Sequence, residues 1–168
     1  KKGEDPQVTL NQLYKFTQLQ ITVSIINIAL VDSRPRTLPL AGLMQAFLDH
    51  RRAVIRRRTQ FLLREARARM HIVEGLRIAV AHIDEVIAVI RGAPDAHAAI
   101  AELQKRFELS EIQAEAIVNM RLRALTGLEV EKLEEEWRAL KAEIEKLEGI
   151  LADPRRIDAL IVADLDRF

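Results

Sequence analysis

Apolar residues in the second half of the chain fall in steps that alternate between three and four: Val130, Leu133, Trp137, Leu140, Ile144, Leu147 and Leu151. That spacing is the seam of a left-handed coiled coil, because a 3.5-residue repeat keeps one stripe of an α-helix facing a partner. A second seam runs through the first half, at Leu62, Ala66, Met70, Val73, Leu76, Val80 and Ile83. The polar positions flanking the two seams are opposite in sign. Residues 129–148 hold eight Glu against four Lys or Arg, and residues 51–77 hold nine Arg against two Glu. One acidic and one basic long helix in a single chain predict an antiparallel hairpin arm.

The basic helical pattern opens near Pro39 and Gly42 and runs without a proline to about His82. At 1.5 Å per residue, about 40 residues make a rod of about 60 Å, which needs a partner helix along its length. The stretch from Val130 to Phe168 supplies one of nearly equal length, with a single break at Asp153-Pro154. There Asp can cap and Pro can start a new helix. The pattern resumes at Ile157, Leu160, Ile161, Leu165 and Phe168. Residues 83–127 read as three short helices: Ile83–Arg91, stopped by Gly92 and Pro94; Asp95–Phe107; and Ser110–Leu125. Ser110 and Gln113 have the spacing of a capping box. Thr126-Gly127 breaks the chain before the return arm.

Ahead of the arm, Thr9 and Gln12 predict the start of a short helix reaching about Gln20. Alternation over Ile21–Ile25 and a β-branched run to Val31 predict a strand. Asp32-Ser33-Arg34-Pro35 reads as a turn and Arg36–Leu40 as a short return strand. Such a hairpin is too small to be stable alone, so it belongs to the edge of a neighbouring domain. The expected fold is mainly α: a long antiparallel coiled-coil hairpin with a small helical tip domain and a short N-terminal β-hairpin. Its parts are residues 1–40, 41–82, 83–127 and 128–168.

Composition agrees with long helices. Aromatics are 4% of the 168 residues and there are six glycines. The net charge of +1 makes any affinity for nucleic acid a matter of local charge distribution. The absence of cysteine removes disulfides and thiolate metal sites and fits a reducing compartment. No apolar run reaches the roughly 18 residues of a membrane span, and no signal peptide is visible. The opening Lys-Lys-Gly-Glu-Asp-Pro lacks Met and reads as a linker, so the chain is expected to be a piece of a larger protein.

Candidate chemistry is sparse. Tyr14, the single tyrosine, has no base or paired arginine in a recognisable spacing, and packing explains it. His50, His71, His82 and His97 are scattered and make no metal motif. Arg51, Arg52, Arg56, Arg57 and Arg58 form the densest charge cluster. It is either a solvated face paired to the return arm or a surface that attracts phosphate. The last knob helix is apolar on more than one face, at Ile112, Ala116, Ile117, Met120, Ala124 and Leu125. About 45 residues leave little interior to absorb that, so a twofold contact between knobs is favoured. There is no glycine-rich phosphate loop, nucleophile elbow or paired-carboxylate site, and no catalytic residue or metal ligand is assigned.

One family accounts for a series of strings in order. They are Leu13-Tyr14-Lys15-Phe16-Thr17-Gln18-Leu19-Gln20; His50-Arg51-Arg52; Arg57-Arg58-Thr59-Gln60-Phe61; and His71-Ile72-Val73-Glu74-Gly75-Leu76. Ile83-Asp84-Glu85-Val86-Ile87 with Ile90-Arg91 follows, then Leu109-Ser110-Glu111, Gln113-Ala114 and Ala116-Ile117. Met120-Arg121-Leu122 and Leu125-Thr126-Gly127-Leu128-Glu129 complete the series. Together they resemble the breakage-reunion subunit of type IIA topoisomerases, in the family of the bacterial DNA gyrase A subunit. The topoisomerase IV equivalent is a close alternative.

The resemblance implies that residues 1–40 end a tower region and that residues 83–127 form a dimer gate. It implies a homodimer meeting through Ile112, Ala116, Ile117, Met120, Arg121, Ala124 and Leu125, which releases a transported DNA duplex when the gate parts. That Arg51, Arg52, Arg56, Arg57 and Arg58 face the DNA cavity is an inference from this layout and not a matched motif; a helical arm that binds nucleic acid directly through Arg51–Arg58 is the alternative function, read from the charge cluster. The family's DNA-linking tyrosine belongs to an upstream domain, and Tyr14 falls on the tower-end string instead. ATP and Mg are implied for the parent complex through the gyrase B subunit, with no cofactor in this chain. The implied setting is cytoplasmic.

Overall fold

The computed structural model describes residue 3, residues 5–121 and residues 127–167. The elements are α1 (Pro6–Phe16), β1 (Ile28–Val31), β2 (Arg34–Thr37), α2 (Leu40–Ala81), α3 (Ile83–Gly92), α4 (Ala96–Phe107), α5 (Glu111–Val118), α6 (Gly127–Ala152) and α7 (Pro154–Leu165). The fold is mainly α, with a long helix and an N-terminal antiparallel hairpin, as the hydrophobic periods predict. Two compact units divide it, one up to Asp49 and one from His50.

In the first unit, α1 starts earlier than expected. Its cap is Asp5, not Thr9. The Asp5 carboxylate accepts from the Gln7 N–H at 2.8 Å, and Pro6 stands at the first helical position, where no N–H is needed. The Thr9 hydroxyl donates to the Asp5 carbonyl instead. The helix stops at Phe16 rather than Gln20, because Thr17 is extended (φ −126°, ψ 171°).

The β-hairpin is tighter than its sequence suggests. Asp32 and Ser33 alone make the turn, with φ of 52° and 62°. Two central residues at positive φ match the right-handed twist of the flanking strands. Val31 then pairs with Arg34 and Ile28 with Thr37. The return strand is therefore Arg34–Thr37 rather than Arg36–Leu40. Pro35, opposite Leu30, is tolerated because each strand of a two-stranded ribbon has a free edge. The strand expected from Ile21 begins only at Ile28.

In the second unit, the short helices form the tip. Val86 and Val89 of α3, Leu103 of α4, Leu109, and Ala114 and Ile117 of α5 share a buried cluster with Ala79 of α2. Leu76, Ile90, Ile100, Phe107 and Val118 pack around it. Asp95 caps α4, accepting from the Ala98 N–H at 2.7 Å. Glu108, in the left-handed region at φ 53°, ends it. Ser110 and Gln113 form the expected capping box on α5. That helix closes at Val118 with Asn119 as its C-cap, short of the expected Leu125.

The return arm breaks where Asp153-Pro154 predicts. Asp153 accepts from the Arg155 N–H at 2.9 Å, and Pro154 opens α7. Gly149 lies so close to the Arg156 guanidinium that a Cβ there would overlap it.

Candidate functional site: the arm and its tip

The charges predicted to attract do so residue by residue. Arg51 bonds Asp164 at 2.6 Å, Arg52 bonds Asp158 at 2.7 Å and Arg67 bonds Glu148 at 2.6 Å. Arg69 bonds Glu136 and Arg77 bonds Glu134, each at 2.6 Å. Along α2 the partners step backwards, from α7 to the start of α6, which makes the pairing antiparallel. Arg69 and Arg52 also reach their carboxylates with a second N–H, at 3.0 and 3.3 Å. These groups are partly open to solvent, so the pairs add little stability and mainly fix register. The Arg52 hydrogen bond holds the Asp158 carboxyl below its ordinary range, and the Glu136 hydrogen bond raises Arg69.

The Arg77 guanidinium also lies 4.3 Å from the centre of the Trp137 ring, a cation–π contact. The ammonium of Lys141 stands 5.4 Å from the same ring. The Trp137 indole N–H is buried and has no hydrogen-bond partner among the described residues.

Of the residues expected in the coiled-coil core, Ala66, Val73 and Leu147 are buried. Met70, Leu76, Leu133, Trp137, Leu140, Ile144 and Leu151 are half-buried. Leu62 is corrected. It is 36% exposed, and its neighbour Leu63 is buried at 8%. The buried line on α2 runs Thr59, Leu63, Ala66, Val73. Leu62 and Leu63, four and three residues before Ala66, lie about 40° and 60° to opposite sides of it, so both fit the helical period and packing alone selects Leu63. Two adjacent leucines offer no compositional basis for choosing. Thr59 fits the line because its hydroxyl donates to the Ile55 carbonyl at 2.8 Å.

The tip docks on another face of α2. Gly75 follows Val73 by two residues, about 200° around the helix. A Cβ on Gly75 would meet Gln113 Cβ and Cγ at 2.7 Å. Gln113 Nε2 donates to the His71 carbonyl at 2.7 Å, while its Oε1 accepts from the Ser110 N–H at 3.0 Å. His71 Nε2 is 2.6 Å from Ser110 Oγ. The capping box thus also clamps the tip to the arm. The one available sequence signal was a glycine inside an uninterrupted helix, where it costs helix stability and implies close approach.

The residues expected at the dimer interface divide. Ile112 is 59% exposed, Ala116 and Met120 are half-buried, and Arg121 is exposed. Ile117 is corrected: at 1% exposure it belongs to the tip core. On a short helix packed on two sides, its apolar side chain turns inward. Ala124 and Leu125 lie outside the described residues. Beside Met120 an apolar groove of about 420 Å³ is lined by Ile83, Val86, Ile87, Ile90, Ile117 and Val118, with Arg91 also present.

The arginine cluster divides too. Arg51 and Arg52 are bonded to α7, whereas Arg56, Arg57 and Arg58 are exposed. Tyr14 is 42% exposed on α1. Among the described residues, no group of three or more His, Asp or Glu could hold a metal ion, and no helix is long and apolar enough to cross a membrane.

The second unit is thus an ion-paired helical arm carrying a small docked helical tip. Residues 1–166 match the family of the DNA gyrase/topoisomerase IV A subunit, and the chain belongs to that family. It is 50% identical over 164 residues to the DNA gyrase A subunit of Aminobacterium colombiense, covering 98% of this chain and 20% of that protein. It is 51% identical over 155 residues to that of Deinococcus deserti, covering 92% and 19%. With that of Clostridium acetobutylicum the identity is 49% over 168 residues, covering 100% and 20%. The chain thus spans about a fifth of the length of the curated relatives it matches.

Proposed function

We propose that this chain is the coiled-coil exit gate of a bacterial DNA gyrase A subunit. Its tip holds two copies together, and its arm frames the opening through which a transported DNA duplex leaves. The chain performs no chemistry itself. Strand breakage, and the use of ATP and Mg, belong to other parts of a cytoplasmic enzyme that includes the gyrase B subunit.

The observation that carries this reading is the apolar groove beside Met120. A tip this small still presents Ile83, Ile87, Ile90 and Met120 around an open groove, with Ile112 more than half exposed nearby in sequence. Apolar surface of that kind on a soluble domain favours a self-complementary contact. A gate must hold during strand breakage and then part. A modest interface on a long lever suits both demands. The three relatives above are A subunits of DNA gyrase, which favours that protein over its topoisomerase IV equivalent.

The chain contains no cysteine, so one introduced thiol is unique within it, and any cysteine elsewhere in the full-length protein is first replaced by Ser. In the full-length protein, reconstituted with the gyrase B subunit, Met120→Cys treated with a bifunctional thiol reagent should give covalent pairs. Release of the transported duplex should then stop. Absence of cross-linked pairs, or undiminished release from them, contradicts the gate.

A further inference from the structure

Arg51, Arg52, Arg67, Arg69 and Arg77 of α2 are each bonded to a carboxylate of α6 or α7. Arg56, Arg57, Arg58 and Arg64 are exposed, and no acidic partner for them stands among the described residues. We propose that these four arginines form a patch that binds the phosphate backbone of duplex DNA. Choosing duplex DNA as the ligand rests on the function proposed above.

The placement follows from helix geometry. Arg57 and Arg64 are seven residues apart, two turns along one face, while Thr59, Leu63 and Ala66 bury the opposite face. Arg56 and Arg58 stand about 100° to either side of Arg57, at the edges of the Arg57–Arg64 face and within reach of it only through their long side chains. Glu65 is the single acidic residue between Arg51 and Val73, and the α6 and α7 carboxylates facing this stretch are bonded to Arg51, Arg52, Arg67 and Arg69, which leaves a local excess of positive charge at the other four arginines although the whole chain carries only +1. Arg56 to Arg64 spans about 12 Å of helix axis. A duplex presents about seven phosphates over that length. Guanidinium groups without protein carboxylates are matched to phosphate by their fixed fork of donors.

Phe61 argues for backbone contact over base stacking. It is 53% exposed, but the Arg64 guanidinium already lies 6.0 Å over its ring. One occupied aromatic face is no stacking platform for single strands. It serves instead to hold the Arg64 fork outward.

The test is a salt titration of this chain with a duplex oligonucleotide, with circular dichroism as the control for folding. Four phosphate contacts predict a slope of log affinity against log salt of about −3.6. Arg57→Gln with Arg64→Gln should reduce its magnitude to about 1.8. Arg67→Gln with Arg69→Gln removes the same formal charge from ion-paired positions and should leave the slope unchanged. Equal losses from both doubles, no binding at low salt, or preference for single strands each overturns the patch. Dimerisation measured without DNA separates the two proposals: a chain that dimerises but binds no duplex rejects the patch alone.

Discussion

A methyl group at residue 75 would have to occupy space 2.7 Å from Gln113 Cβ and Cγ. Those atoms are anchored, because the Gln113 amide bonds both the His71 carbonyl and the Ser110 N–H. Gly75→Ala should therefore destabilise, overpacking costing about 1–3 kcal/mol against about 1 kcal/mol of helix propensity gained. Gly92→Ala makes the contrast. Nothing stands within 4 Å of a Cβ there, and the substitution should be neutral or stabilise by up to about 1 kcal/mol. Urea unfolding of the two variants checks the signs; equal shifts would remove the clamp from the explanation. At this scale the sequence was only half legible. Ser110 and Gln113 announce a cap by spacing, but the cap's second use depends on His71 and Gly75, some forty residues earlier. Ile117 and Met120 look alike in the sequence, and only packing against α3 and α4 puts the first inside the core.

Along the arm, charge fixes which helix segments meet. Arg52 Nε donates to Asp158 Oδ1 at 2.7 Å, and this bond holds the carboxyl below its ordinary value of 3.8. A lowered folded-state value gives stabilisation that is complete above the unfolded value and lost as pH falls through the folded one. Asp158→Asn should therefore be less stable than the parent near neutral pH, and the gap should close below about pH 4. Urea midpoints across that range test it; a gap that persists in acid contradicts the ion pair. Long elements were the most legible, since two opposite-sign helices and the Asp153-Pro154 break can be read from period and capping alone. Ambiguity entered where two leucines adjoin, at Leu62 and Leu63, and where a two-residue turn at Asp32-Ser33 drew Arg34 and Pro35 into a strand. Local propensity does not contain that register; pairing across the ribbon does.

For the whole molecule, tip and arm have different tasks under the proposed function. The arm's cross-links lie at its surface and set alignment, while the tip's apolar groove supplies the contact between two copies. Family membership was legible because the matching strings extend in order from Leu13 to Glu129; which tip residues remain available to a partner was not, because that depends on what the core consumes. Substitution at Ile117 would confound folding with association, so Met120 is the informative position. The most direct measurement is sedimentation equilibrium of this chain over a wide dilution range, beside Met120→Asp. The expected result is a monomer–dimer equilibrium that Met120→Asp shifts to monomer while its helical circular dichroism is retained. A parent chain that stays monomeric at every concentration, or a Met120→Asp variant that associates as well as the parent, would contradict the gate.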